Sequence, residues 1–470
     1  MKLHLPVRLF RSVMAVMAVT AFAFPSSFAS DITDAYSQVH LSSMSEFKAN
    51  EGLSTAYIAK NDFVLESLSA PIVSLGAWTS TYWFVTSEVD ALGNPLFSFE
   101  LQNNQYSDVF HETDSMPEQY VALLSLQSFE ANGLKNIDVT GNKISEKDNK
   151  SCNTINSGFL FSKDTSINGN GTVNVLNNSI EYATVGTQAI VQGVAFGGFV
   201  RFTDNATIIH ENNTAIAESD SGYITAEGGV FYGSGVSYND NGDIKISNNG
   251  VIAKGAGSNM LAQGGAFSSV AGISTSGPVY GVSFNNNGEI HMCGNYADTY
   301  FSGDDTSIIK EITVRGGAIY VPKGKIHIRN NDDVIFEKNY IVNNGEYELQ
   351  SIYAEDTTGN SGILSADFSV EKGKKIEFRD SFYIDVDLIA KKAASSFDLN
   401  SQYTVSEDVA IAQTGDIILT GEYAEQHLNE ILATRGEKRT ATAEEILASQ
   451  TSEVVGTATL HDGRLIIKEG

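Results

Sequence analysis

Between residues 132 and 344 the chain is written in short alternating runs, apolar then polar then apolar, closed by asparagine or glycine. Ile244-Lys245-Ile246 and Ile290-His291-Met292 are examples. A period of two marks a strand with one buried side, and the bounding Asn and Gly mark turns. Nothing in this stretch carries the i, i+3, i+4, i+7 spacing of paired helices.

The runs recur. The pattern is an Asn, two residues, Ile or Val, one residue, a mostly apolar residue, two residues and a second Asn. It reads Asn170–Asn178, Asn205–Asn213, Asn241–Asn249, Asn287–Asn295 and Asn331–Asn339, with a degenerate copy at Ile137–Asn142. A second marker alternates with it: Gly193-Val194-Ala195-Phe196, Gly228-Gly229-Val230-Phe231, Gly264-Gly265-Ala266-Phe267 and Gly316-Gly317-Ala318-Ile319, with Gly158–Phe161 as a weaker fifth. The leading glycines at 158, 193, 228 and 264 are 35, 35 and 36 residues apart, and the closing asparagines at 142, 178, 213 and 249 are 36, 35 and 36 apart. Two independent markers sharing one period in this range indicate a solenoid.

Short strands with Asn and Gly corners predict an all-β, right-handed parallel β-helix over 132–344. Asn tolerates left-handed backbone at a corner. Stacked coil over coil, its amide can bond the amides above and below. Gly-Gly before a β-branched or aromatic residue permits a close-packed corner. The Gly marker leads the Asn marker by 20 or 21 residues and the next Gly follows by 15, which reads as two coils per repeat in a three-sided prism; one large coil is the alternative.

Where the regularity breaks, loops are expected. Gly264 to Asn295 spans 31 residues and Asn295 to Gly316 spans 21, so Ser268–Ser283 and Tyr296–Ile312 should protrude. Tyr280, Tyr300, Phe301, Asp304 and Asp305 are their candidate ligand contacts, because aromatics on protruding loops favour recognition. Residues 30–131 are richer in aromatics and lack the period, which predicts a cap and irregular first coils. Residues 345–470 keep alternating runs at Gly362–Leu364, Lys374–Phe378, Tyr383–Leu388, Asp416–Thr420 and Arg464–Lys468. They read as further coils, with a helical excursion at about 425–450 that carries a capping box at Thr442–Glu445.

Residues 1–29 read as a secretory signal: Lys2, Arg8 and Arg11, an apolar run from Val13 to Phe24, and small residues leading to a cleavage after Ala29. Its loss takes the formal net charge from −27 to −30. So acidic a chain lacks the clustered Lys and Arg that nucleic-acid binding requires. Cys152 and Cys293 are the only cysteines. They match no metal spacing and form no disulfide framework. A single bridge stays open, but their separation by several repeats favours two free thiols.

Catalytic signatures are absent: there is no Gly-x-Ser-x-Gly elbow, no His-Glu-x-x-His helix and no phosphate loop. His210, His291 and His327 read as lone, solvent-facing or corner residues. Asn239–Asp243 resembles a calcium loop faintly, but Asn248 stands where its closing Glu belongs. Asp304-Asp305 and Asp332-Asp333 read as solvated turns. No cofactor or metal is expected.

In order and period the tetrapeptides resemble those of the chlamydial polymorphic outer-membrane proteins and their relatives in other bacteria. Gly316-Gly317-Ala318-Ile319 and Phe336-Glu337-Lys338-Asn339 are the full forms. Gly373–Phe378, Thr414–Glu422 and Leu460–Leu465 are similar to the family's C-terminal segments, so the resemblance runs from about 132 to 470. It implies autotransporter export, display at the cell surface or outer membrane, and adhesion to a host-cell or environmental ligand. Family members end in a membrane barrel of roughly a dozen strands. This chain stops at Gly470 within a passenger-type strand, so the barrel is expected to come from elsewhere; without one the passenger would stay periplasmic. A β-helix that cleaves acidic polysaccharides is one alternative and would need three or more carboxylates converging with a cation. A structural surface-layer or spike protein is the other.

Overall fold

The computed structural model describes residues 54–59, 63–66, 82–106, 124–148, 153–156, 160–269, 281–303, 311–321, 326–343, 346–354, 366–369, 373–379, 416–420, 456–461 and 464–469. The signal segment with Ala29, Cys152, the runs at 362–364 and 383–388 and the helical excursion at 425–450 lie outside them. The described residues form strands and no helix.

The chain winds as a parallel β-helix. A regular coil consists of Phe196–Thr203, Thr207–Glu211, Thr214–Ser219 and Tyr223–Glu227. Each of the four strands pairs in parallel with its equivalent one coil later: Val200 with Val236, Ile208 with Ile244, Ala215 with Val251, Ile224 with Met260. We number the resulting faces first to fourth in chain order.

One 35-residue repeat is therefore one coil, which corrects the two-coil reading, and the cross-section has four sides instead of three. The Gly and Asn markers label different corners of the same turn. They cannot stack on each other, because each corner is complementary only to its own kind.

At the two asparagine corners this complementarity is explicit. Asn104, Asn142, Asn178, Asn213, Asn249, Asn295 and Asn339 form one buried column. The last rung, Asn339, donates to Ser351 Oγ at 3.1 Å, and from Asn104 to Asn295 each Nδ2 donates to Oδ1 of the asparagine in the following coil at 2.7–3.0 Å. Its second hydrogen goes to a main-chain carbonyl of the preceding coil, as from Asn178 to Val139 at 2.7 Å and from Asn213 to Val175 at 2.8 Å. Asn170, Asn205, Asn241, Asn287 and Asn331 form a second ladder of the same design, at 2.8–2.9 Å. The asparagines that open and close the sequence motif thus each own a corner. The run at 239–243 is one such corner, since Asn241 is a rung of the second ladder.

Left-handed backbone falls one residue earlier than expected. Asn177, Asn212, Asn248, Gly294 and Lys338 precede the rungs of the first ladder, with φ of 50–65°. At the corner from the fourth face to the first, Gly193, Gly228, Gly264 and Gly316 have φ of 62–72°. A Cβ on Gly228 would lie 2.0 Å from the Phe231 carbonyl oxygen. Gly229, Gly265 and Gly317 are closed by contact instead: a Cβ on Gly265 would meet the Gly317 oxygen at 1.9 Å and the Tyr296 main chain at 2.5 Å.

Coils also extend N-terminal to the asparagine repeat. Ser54–Ala59 pairs in parallel with Tyr82–Ser87, and Phe63–Glu66 pairs with Phe99–Gln102. At the other end, Glu346–Leu349 folds back antiparallel on Tyr340–Asn343 and closes the third face. Asp416–Thr420 adds to the second face in parallel. Arg464–Glu469 does not continue the coil: it pairs antiparallel with Asp416–Thr420 and with Gly456–His461.

Candidate functional site

The two expected insertions begin later and end earlier than the sequence indicated. Ser268 and Ser269 are buried in a first-face strand, Phe267–Ser269, and Val282–Asn285 resumes that face. Both pair with the single preceding strand Phe231–Asn239, so the insertion is confined to 270–281. It leaves where Gly233-Ser234-Gly235 makes a bulge one coil earlier. Tyr296–Phe301 is not loop either; it is a third-face strand in register with Gly250–Gly255. Ser302 N still donates to the Gly255 carbonyl, and the fourth face resumes at Glu311. Tyr280, Asp304 and Asp305 lie outside the described residues. Of the candidate contacts, Tyr300 is 61% exposed, whereas Phe301 is partly buried and packs against the core.

Tyr300 is not alone. Val185 is 53% exposed in the turn from the third to the fourth face, and Tyr223, 56% exposed, opens a fourth-face strand just after the same turn one coil later. All three border one edge of the solenoid, over a span of three coils, or about 14 Å at the usual strand spacing. Scattered exposed apolar residues are ordinary, but alignment on one edge is not. The sequence could not reveal this alignment, because 115 residues separate Val185 from Tyr300.

Two buried polar groups were also missed. His210 does not face solvent. It occupies the inward position held by Val175 and Ile246 in the coils on either side. Its Nε2 lies 2.9 Å from the Tyr238 hydroxyl, and both residues are fully buried. Phe202, Tyr238 and Phe284 stack through the interior with ring centroids 4.7 and 4.8 Å apart. Burial pushes the His210 pKa down to about 3, opposed by the Ile209 main chain, so the ring is neutral. Glu227, on the fourth face, is pushed up to about 7 by burial, against the hydrogen bond from Gln192 at 2.6 Å. A lone carboxyl in this setting holds its proton at mildly acidic pH, but no converging set of carboxylates stands with it among its named partners.

On the second face, His291 and Cys293 project outward from Ile290–Cys293, with Ile290 and Met292 turned inward. Glu337 stands beside Cys293 on the following coil. His291 Nε2 is 3.1 Å from Glu337 Oε2, and one donor atom from each of the three side chains lies within 4.8 Å of the others. His291 is thus paired, contrary to the reading of a lone residue. His327 keeps its outward position on the first face.

No family model, no curated protein and no solved structure matches this chain.

Proposed function

We propose that the chain is an exported, autotransporter-type passenger that acts as a surface adhesin and recognises its ligand along the edge carrying Val185, Tyr223 and Tyr300. The observation that carries this reading is that these three exposed side chains border the same edge; the other exposed large hydrophobics among the described residues, Val89, Leu92 and Leu96, lie together in the 89–96 turn. Aromatic side chains on a rigid scaffold supply contact area at small entropic cost. The Gly-Gly-Ala-Ile and Phe-x-x-Asn repeats support the family side of the proposal.

The test is attachment of fluorescent beads coated with the purified chain to cultured epithelial cells. Val185→Ser, Tyr223→Ser and Tyr300→Ser combined should lower binding about tenfold or more, with the β-sheet circular dichroism unchanged. Retained binding by that variant would move the ligand surface elsewhere, to the 270–281 or 304–310 connections, whose deletion is the companion variant. Beads carrying the unaltered chain that fail to attach would overturn the adhesin reading itself.

A further inference from the structure

Independently of the adhesive reading, we propose that His291, Cys293 and Glu337 form a surface site for a divalent transition metal of the Zn²⁺ class. Three observations converge. The donors are an imidazole nitrogen, a thiol sulfur and a carboxylate oxygen, a mixed soft and borderline set that suits Zn²⁺ and disfavours Mg²⁺ or Ca²⁺. They come from two hydrogen-bonded strands in fixed register, with Cys293 directly opposite Glu337 and His291 two residues away on the same side. Their donor atoms already lie within 4.8 Å of one another. A tetrahedral zinc with the usual bond lengths needs its ligands roughly 3.3–3.6 Å apart, within reach of small side-chain rotations.

Two cations flank the three groups, and each is ion-paired with an acid outside the site. Lys245, which sits beside His291 on the preceding coil, is held by Glu211 at 3.0 Å. Arg379, beside Glu337 on the following coil, is held by Glu377 at 3.0 Å. All three side chains are half-buried, so the site opens outward and leaves a fourth position for water. Binding replaces the thiol S–H bond with an S–Zn bond, and the displaced proton passes to solvent. Burial and the Glu337 carboxylate hold the Cys293 thiol above its ordinary pKa, which makes the affinity rise with pH. The sequence alone hides the site, because Glu337 lies 44 residues beyond Cys293 and meets it only through coil stacking.

The experiment is a Co²⁺ titration of the reduced full-length chain, read by the near-ultraviolet thiolate-to-cobalt absorption and followed by displacement with Zn²⁺. One equivalent of Co²⁺ should develop the thiolate band. Cys293→Ser should abolish it, and Cys152→Ser should leave it intact. His291→Ala should weaken Zn²⁺ binding about tenfold or more, measured by competition with a chromophoric chelator. Absence of the band in the unaltered chain, its loss with Cys152→Ser, or its persistence in Cys293→Ser would each overturn the proposal.

Discussion

At the scale of single residues, a polar atom is buried at least cost where its hydrogen bonds are complete. A ladder asparagine meets this condition with both amide hydrogens and both lone-pair directions engaged, which is why it is buried without penalty. His210 meets it only in part: its Nε2 pairs with the Tyr238 hydroxyl, its buried Nδ1 has no hydrogen-bond partner, and the ring is held only while neutral. In the unfolded chain its pKa returns toward the ordinary 6.5, against about 3 when folded. Between these values the unfolded state binds more protons, so the contribution of His210 to stability is whole above pH 6.5 and is lost as the pH falls toward 3. Replacing the pair by the residue types of adjoining coils, His210→Ile with Tyr238→Phe, removes donor and acceptor together and leaves no orphaned group. The double variant should match the parent at neutral pH within about 1 kcal/mol and exceed it on the order of 3 kcal/mol at the acid end, as read from urea midpoints across that window. The single variant Tyr238→Phe should keep the acid sensitivity.

At the scale of the element, the unit is the four-strand coil, and what makes coils congruent is the pair of asparagine ladders. Gly on Gly and Asn on Asn is the only stacking that satisfies both corners, so the pairing distance is the full repeat. The sequence gap of 20 and 15 residues between markers suggested half-coils because spacing records how often a corner type returns and says nothing about which strand lies next to which. Asn213→Ala should show the cost of breaking a rung. The main-chain N–H and Nδ2 of Asn178 lose their acceptor, and the Val175 carbonyl loses its donor. A fall in stability of about 3 kcal/mol is expected. Hydrogen exchange should locate it, with faster exchange in the coils on either side and little change at distant coils, since a solenoid couples mainly through neighbours.

At the scale of the whole molecule, the stack tolerates insertions wherever a coil corner or bulge faces outward. From the seventh described coil onward the first face is interrupted at one level. Phe267–Ser269 and Val282–Asn285 are followed by Ile319–Val321 and Ile326–Arg329, then by Ile352–Ala354 and Ala366–Ser369. Replacing 270–281 by Ser-Gly, the residues that span the same bulge one coil earlier, should therefore leave the stability within about 0.5 kcal/mol of the parent, because both flanking strands and every ladder rung are kept. The growing ends are closed by reversal of the chain. Antiparallel strands at 346–349 and 464–469 occupy hydrogen-bonding edges that another parallel coil would otherwise extend.

The fold class was legible in the chain because a β-helix repeats one local problem, the turning of a corner, and solves it each time with the same few residue types. Strand alternation, the Asn and Gly positions and the period needed only short windows of sequence. The number of sides, the buried partner of His210, the edge shared by Val185, Tyr223 and Tyr300, and the meeting of His291 and Cys293 with Glu337 were decided by tertiary structure alone. Each depends on which residues lie one or more coils away, from 28 positions for His210 and Tyr238 to 115 for Val185 and Tyr300, and that vertical register is fixed by stacking energy across strands, which no local pattern of side chains contains.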